Sequence, residues 1–151
     1  MSGEKTVRAE DELAMRNLLA RYVHHADAGD LDGFAALFLP DGTWTRENSP
    51  PSSQGGSGLP VQTMTGHDEI RLMIENSIIK RFDRKFRHQM TDVLIEPGYS
   101  DDDAHGRCRA LITDWREGPG KIAMCGAYTF RFARTGQGWR FRSVSVRVLP
   151  E

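Results

Sequence analysis

Two residues of this 151-residue chain have the right chemistry for proton transfer and stand where their type is out of place. Asp27 ends an apolar helical stripe, with Val23 and Ala26 just before it. A carboxylate there is costly unless it has a partner. In the last turn of a helix the dipole disfavours negative charge by a further ~0.3–1 kcal/mol. His88 opens a segment of alternating residues and shares a face with Met90 and Asp92, so it can point inward. An inward histidine paired with a carboxylate gains a fixed tautomer and a raised basicity, as a general base needs. Each residue also has a plainer reading. Asp27 can be a solvated member of the turn Asp27-Ala28-Gly29-Asp30, and His88 a hydrogen-bonded core or strand-end histidine.

The elements that must position these residues are legible in the periodicity. Met15, Leu18, Leu19, Tyr22, Val23 and Ala26 recur at three- and four-residue steps, which predicts a helix from Glu10 to Ala28. Gly29 suits its left-handed stop, and Asp30 can cap a short second helix carrying Leu31, Phe34, Leu37 and Phe38. Pro40-Asp41-Gly42 reads as a turn into a short strand, Thr43 to Arg46. Residues 47–63 are rich in Ser, Pro, Gly and Gln and are expected to form a loop or lid. Thr65-Gly66-His67-Asp68 resembles a capping box opening a third helix with Ile70, Met73, Ile74, Ser77 and Ile78 on its apolar side. After Phe82 the period switches to two. Strands are expected up to Pro97-Gly98, from Gly106 to Arg116, from Lys121 to Arg134 and from Trp139 to Val148. Three helices, one early strand and a four-stranded antiparallel meander make an α+β plan, with helices on one sheet face and a single domain over residues 1–151.

Composition removes several classes of function. Twenty Lys and Arg against 21 Asp and Glu give a net charge of −1, so nothing attracts nucleic acid or an anionic membrane. No apolar run approaches the roughly 18–20 residues of a membrane span, and the polar segment Met1 to Glu12 has no signal-peptide core. A cytoplasmic location is expected. Cys108 and Cys125 sit in apolar-alternating segments and read as small buried hydrophobes, with a disulfide between them as the alternative. His24 and His25 beside Asp27 diverge by about 100° per residue around the helix, which does not suit one metal ion. Gly55-Gly56-Ser57-Gly58 lacks the strand-to-helix context of a nucleotide loop. Neither metal nor organic cofactor is expected.

Several short motifs, in this order, resemble the SnoaL-like branch of the NTF2-like superfamily from about residue 9 to 148. They are Tyr22-x4-Asp27 with Gly29-Asp30, Leu37-Phe38-x2-Asp41-Gly42-Thr43-Trp44, Gly66-His67-Asp68-Glu69-Ile70, Arg87-His88 and Gly138-Trp139-Arg140-Phe141. Within that family the chain is most similar to scytalone dehydratase, the bile acid 7α-dehydratases and hexachlorocyclohexane dehydrochlorinase. The resemblance implies an NTF2-like cone in which three N-terminal helices pack on a curved, mixed and mostly antiparallel sheet. It implies an aspartate–histidine dyad at the mouth of the cone, carried over to Asp27 and His88, with Tyr22 as a further catalytic residue and Trp44 lining the pocket. Met90, beside His88, and Arg147, in the last strand, are candidate substrate contacts. Relatives place an arginine in that last strand, and here Arg142 and Arg147 both qualify, on a face that alternation leaves ambiguous. The sequence departs from scytalone dehydratase in having Cys108 where that enzyme has a second histidine.

The function expected on this basis is a cofactor-independent lyase of dehydratase type, or an isomerase. Its substrate would be a small hydrophobic cyclic or aromatic hydroxylated compound. Two alternatives stay open: a polyketide cyclase-like enzyme, and a non-catalytic binding module or structural subunit related to the β subunits of ring-hydroxylating dioxygenases. A homo-oligomer, trimer or dimer, is expected, because alternation leaves Leu111 and Trp115 on the sheet face opposite Ala110 and Ile112.

Overall fold

A computed structural model describes residues 5–47 and 61–149 of the chain. Helix α1 (Ala9–Ala28) buries Met15, Leu18, Leu19, Tyr22 and Ala26, the stripe that the spacing predicts. It ends at Gly29, whose φ of 68° is open to glycine at little cost. The Gly29 N–H donates to Ala26 O and the Asp30 N–H to His25 O, closing the last turn. Asp30 then caps α2 (Leu31–Ala35) by accepting the Gly33 N–H at 3.0 Å. Helix α3 (Gly66–Ile74) buries Ile70 and Ile74 and widens into a π-helical stretch, Glu75–Lys80, that buries Ile78. The expected capping box is not formed: the Thr65 hydroxyl makes no cap, Asp68 pairs with Arg71, and Glu69, one residue further on, accepts the Thr65 N–H.

Among the described residues six strands form one sheet: β1 (Phe38–Arg46), β2 (Gln62–Thr65), β3 (Phe86–Pro97), β4 (Asp103–Asp114), β5 (Lys121–Thr135) and β6 (Gly138–Leu149). Their order is β2-β1-β6-β5-β4-β3. Among the described residues only the β1–β6 pair is parallel, which makes the sheet mixed, and β2 and β3 stand at the two ends of the strand order. All three helices contribute to one core against Ala110, Ile112, Tyr128, Phe130, Phe132, Phe141, Val144 and Val146. The α+β plan with helices on a mixed sheet is therefore the one observed.

Further details differ from the sequence reading. Helix α2 stops at Ala35, so Leu37 lies in a turn and Phe38 opens β1 rather than extending the helix. Pro40-Asp41-Gly42 lies within β1 rather than before it, as an irregularity where the pairing with β6 steps from Phe38↔Phe141 to Thr43↔Ser143. Gln62 and Thr63, placed at the end of the expected loop or lid, pair with Arg46 and Thr45 as part of β2. The rest of that loop, 48–60, falls outside the described residues. Finally, β3 does not alternate throughout. It bulges between Thr91 and Leu94, and Asp92 takes a φ of 56°. The bulge breaks the period of two, so Asp92 is exposed and ion-paired to Arg109 rather than ranged beside His88 and Met90.

Candidate active site

Asp27 is the last-turn residue of α1 and lies one helical turn beyond Val23, on the side of the helix facing β3. His88 is the third residue of β3, an edge strand on which its side chain shares the inner face with Met90. The two meet across 61 residues of sequence. His88 Nδ1 lies 2.6 Å from Asp27 Oδ1, and the His88 backbone N–H donates to Asp27 Oδ2 at 3.1 Å. Both carboxylate oxygens are thus held by one residue, and the side chains are only 8% (His88) and 15% (Asp27) exposed. With the carboxylate ionised, Nδ1 carries the hydrogen and Nε2 keeps the free lone pair. A depression of about 280 Å³ runs between α1 and β3 beside His88. Leu19, Ala20, Val23, Met90 and Val93 give it an apolar lining, to which Arg16 and His24 add polar atoms.

A second hydrogen-bonded pair stands deeper in the fold. The Trp44 indole N–H donates to the Tyr22 hydroxyl at 2.9 Å. Because Tyr22 accepts there, its own proton remains free to donate elsewhere. Burial pushes the Tyr22 phenol well above its ordinary range, partly offset by the Trp44 bond, so it is neutral at physiological pH. No hydrogen bond joins this pair to Asp27 or His88.

Tyr128 connects the surroundings of the two pairs. Its ring meets that of Tyr22 edge-on at 6.4 Å between centroids. It is buried, and burial first, then Tyr22, Cys108 and the charge of Asp27, hold its phenol well above the ordinary value. Alternation along β5 puts Tyr128 on one face with Phe130 and Phe132, a set that reads as sheet-on-helix core with a ligand platform as the alternative, and all three are buried. Nothing in the spacing marks Tyr128 as different from the two phenylalanines. Cys108, paired with it across β4 and β5, is a buried free thiol pushed up to about 12 by burial. Cys125 is half-buried and also free.

The last-strand arginine expected at the site is elsewhere. β6 slips register against β5 at Arg142, between the pairs Phe132↔Phe141 and Arg131↔Ser143. That slip keeps Val144 and Val146 buried and turns Arg147 to the outer face, where it pairs with Glu47 at 3.2 Å. Arg147 is thus not brought to Asp27 and His88, and Arg142 is exposed. β1 supplies an arginine in register with a buried residue of β6. Arg46 stands two residues after Trp44 and opposite buried Val146, half-buried, with Nη2 donating to Gln62 Oε1. Among the described residues no group of three or more His, Cys, Asp and Glu side chains could hold a metal ion.

This fold and the carboxylate–imidazole contact define a small α+β protein with a polar pair between the end of its first helix and strand β3. The family model for the SnoaL-like domain matches residues 7–145, and the chain belongs to that family. No curated protein matches it significantly in sequence. Its fold is shared with solved NTF2-like proteins. One is an NTF2-like protein of cystatin-like fold from Novosphingobium aromaticivorans, with a TM-score of 0.77 and 23% identity over 93% of this chain and 82% of the other. A hexachlorocyclohexane dehydrochlorinase from Novosphingobium barchaimii matches with a TM-score of 0.71 and 20% identity over 93% and 88% of the two chains. A protein from Novosphingobium aromaticivorans, provisionally assigned as a scytalone dehydratase, gives a TM-score of 0.69 and 22% identity over 93% and 85%. None of the chain's described helices is long and apolar enough to cross a membrane.

Proposed function

We propose that this protein is a lyase of dehydratase type, or an isomerase, that works by proton abstraction from carbon without an organic cofactor. Its substrate is a small hydrophobic, cyclic or aromatic, hydroxylated compound. The observation that carries this reading is the 2.6 Å contact between His88 Nδ1 and Asp27 Oδ1 at a largely buried position. Asp27 holds the Nδ1–H tautomer and stabilises the imidazolium once it forms. His88 Nε2 takes a proton from a carbon of the substrate. In an elimination, the electrons of that C–H bond become a new C=C bond and the leaving group departs from the neighbouring carbon. A departing hydroxide leaves as water after taking the proton from His88 Nε2. In an isomerisation, His88 returns the proton to a different carbon of the same conjugated system. The neutral Tyr22 phenol donates a hydrogen bond to the leaving oxygen or to the developing enolate, where preorganised donors are worth most. The dehydrochlorinase and the provisional dehydratase among the solved relatives are named for eliminations, which favours a lyase over a passive binder.

The test is turnover by the wild-type protein on a panel of hydroxylated cyclic ketones and phenolic compounds, followed for loss of water or migration of a double bond. His88→Gln and Asp27→Asn should each keep the fold and lower the rate by about 10²–10⁴-fold. Near wild-type rates in both variants would end this mechanism.

A further inference from the structure

A buried tyrosine hydroxyl is normally hydrogen-bonded, because losing water without a replacement partner is unfavourable. Tyr128 departs from that rule. It is 3% exposed, yet its hydroxyl has no hydrogen-bond partner among the described residues, and its oxygen keeps some accessible surface. The sheet shows where that hydroxyl is directed. A Cβ on Gly126 would come within 2.8 Å of Tyr128 Cε2, so the ring leans along β5 over Gly126. Gly126 pairs with Ala110 of β4, and Ala110 with Met90 of β3. One row further lie Met124, Ile112 and His88. The ring therefore tilts towards the end of the sheet that carries His88, across a floor made of a glycine and an alanine. On the helix side, Tyr22 touches the same ring edge-on.

We propose that the Tyr128 hydroxyl donates a hydrogen bond to an oxygen of the bound substrate, as a second phenol donor beside Tyr22. This rests on the reading of the site given above and narrows it. The substrate carries an oxygen on its sheet side, distinct from the one that Tyr22 addresses from α1. The influence of the Asp27 charge on Tyr128 agrees with this placement and keeps the phenol protonated as a donor. A hydroxyl without an internal partner contributes nothing to the core, so its role lies in binding rather than in stability.

The test compares two probes by equilibrium dialysis against wild type and Tyr128→Phe. They are 2-naphthol, whose hydroxyl oxygen can accept the bond, and 2-methylnaphthalene, which has a methyl group in its place. Tyr128→Phe should weaken 2-naphthol about five- to tenfold and leave 2-methylnaphthalene unchanged, which is what a single neutral hydrogen bond of ~1 kcal/mol supplies. Its melting temperature should equal or exceed that of wild type. Equal losses for the two probes, no loss for either, failure of wild type to retain 2-naphthol, or a clear drop in melting temperature would each overturn the proposal. The same dialysis on His88→Gln separates this idea from the lyase reading. If the 2-naphthol preference survives there while no elimination is ever found, Tyr128 keeps its role and the reaction assignment falls.

Discussion

At the scale of single residues, the Asp27–His88 contact matters because each side chain removes the other's cost. A carboxylate at a helix C-terminus is opposed by the dipole, and a mostly buried imidazole needs a partner for its N–H. Both requirements are met by one short bond plus the His88 backbone N–H. Groups so joined act as a unit, so a His88→Gln/Asp27→Asn double variant should be little slower than the worse single variant. Losses that simply multiplied would mean that the two residues contribute separately. Tyr22 sits outside that unit and is tied to Trp44. On the proposed mechanism, Tyr22→Phe removes one hydrogen bond to the substrate together with the partner of the Trp44 N–H. It should slow turnover by about tenfold, corresponding to ~1.4 kcal/mol and less than either member of the pair. A loss equal to that of His88→Gln would place the Tyr22 proton in the chemical step itself.

At the scale of elements, the start of α1 is pinned to the β5–β6 hairpin by a buried carboxylate. Asp11 accepts from Arg134 Nη2 at 2.8 Å, Trp139 Nε1 at 3.0 Å and Arg8 Nε at 3.1 Å. Arg134 first, then Trp139 and Arg8, hold the Asp11 carboxyl at about 2 against an ordinary 3.8, with burial opposing them. A carboxyl depressed on folding contributes stability that is complete above its unfolded value and is lost as pH falls through the folded one. The Asp11 contribution is therefore whole above about pH 4 and fades towards pH 2. Asp11→Asn should cost about 2 kcal/mol at pH 7, the scale of hydrogen bonds to a charged group. The gap from wild type should narrow as pH drops below 4. Urea unfolding at a series of pH values from 7 to 3 measures this, and a gap that stays constant across the series would contradict it.

At the scale of the whole molecule, the described helices all pack on one face of the sheet. The outer face carries Arg107, Arg109, Thr129 and Arg131, while Trp115 and Ile122 stand exposed at the β4–β5 end. An edge strand and exposed large apolar side chains favour association with further copies of the chain. We expect a dimer or trimer in solution. Light scattering at low concentration should return two or three times the chain mass of 17.0 kDa, and a monomer mass would refute it.

The sequence alone determined what depends on neighbours along the chain. Periodicity placed α1 and its buried stripe, Gly29 marked its end, and alternation located the four long strands to within a few residues. The odd types of Asp27 and His88 were also legible, because a carboxylate on an apolar stripe is conspicuous locally. What only the tertiary structure decided depends on residues far apart meeting. Asp27 and His88 are 61 residues apart, and no pattern in either segment states that α1 ends against β3. Two of the three partners of Asp11, Arg134 and Trp139, lie more than 120 positions away and left no local trace. Faces within strands were equally hidden where register slips. A one-residue bulge inverts every side chain beyond it, so the slip at Arg142 turned Arg147 outward and the bulge at Asp92 took that residue off the face of His88. Tyr128 reads like any core aromatic, because alternation reports that a side chain is buried and is silent on whether its hydroxyl finds a partner.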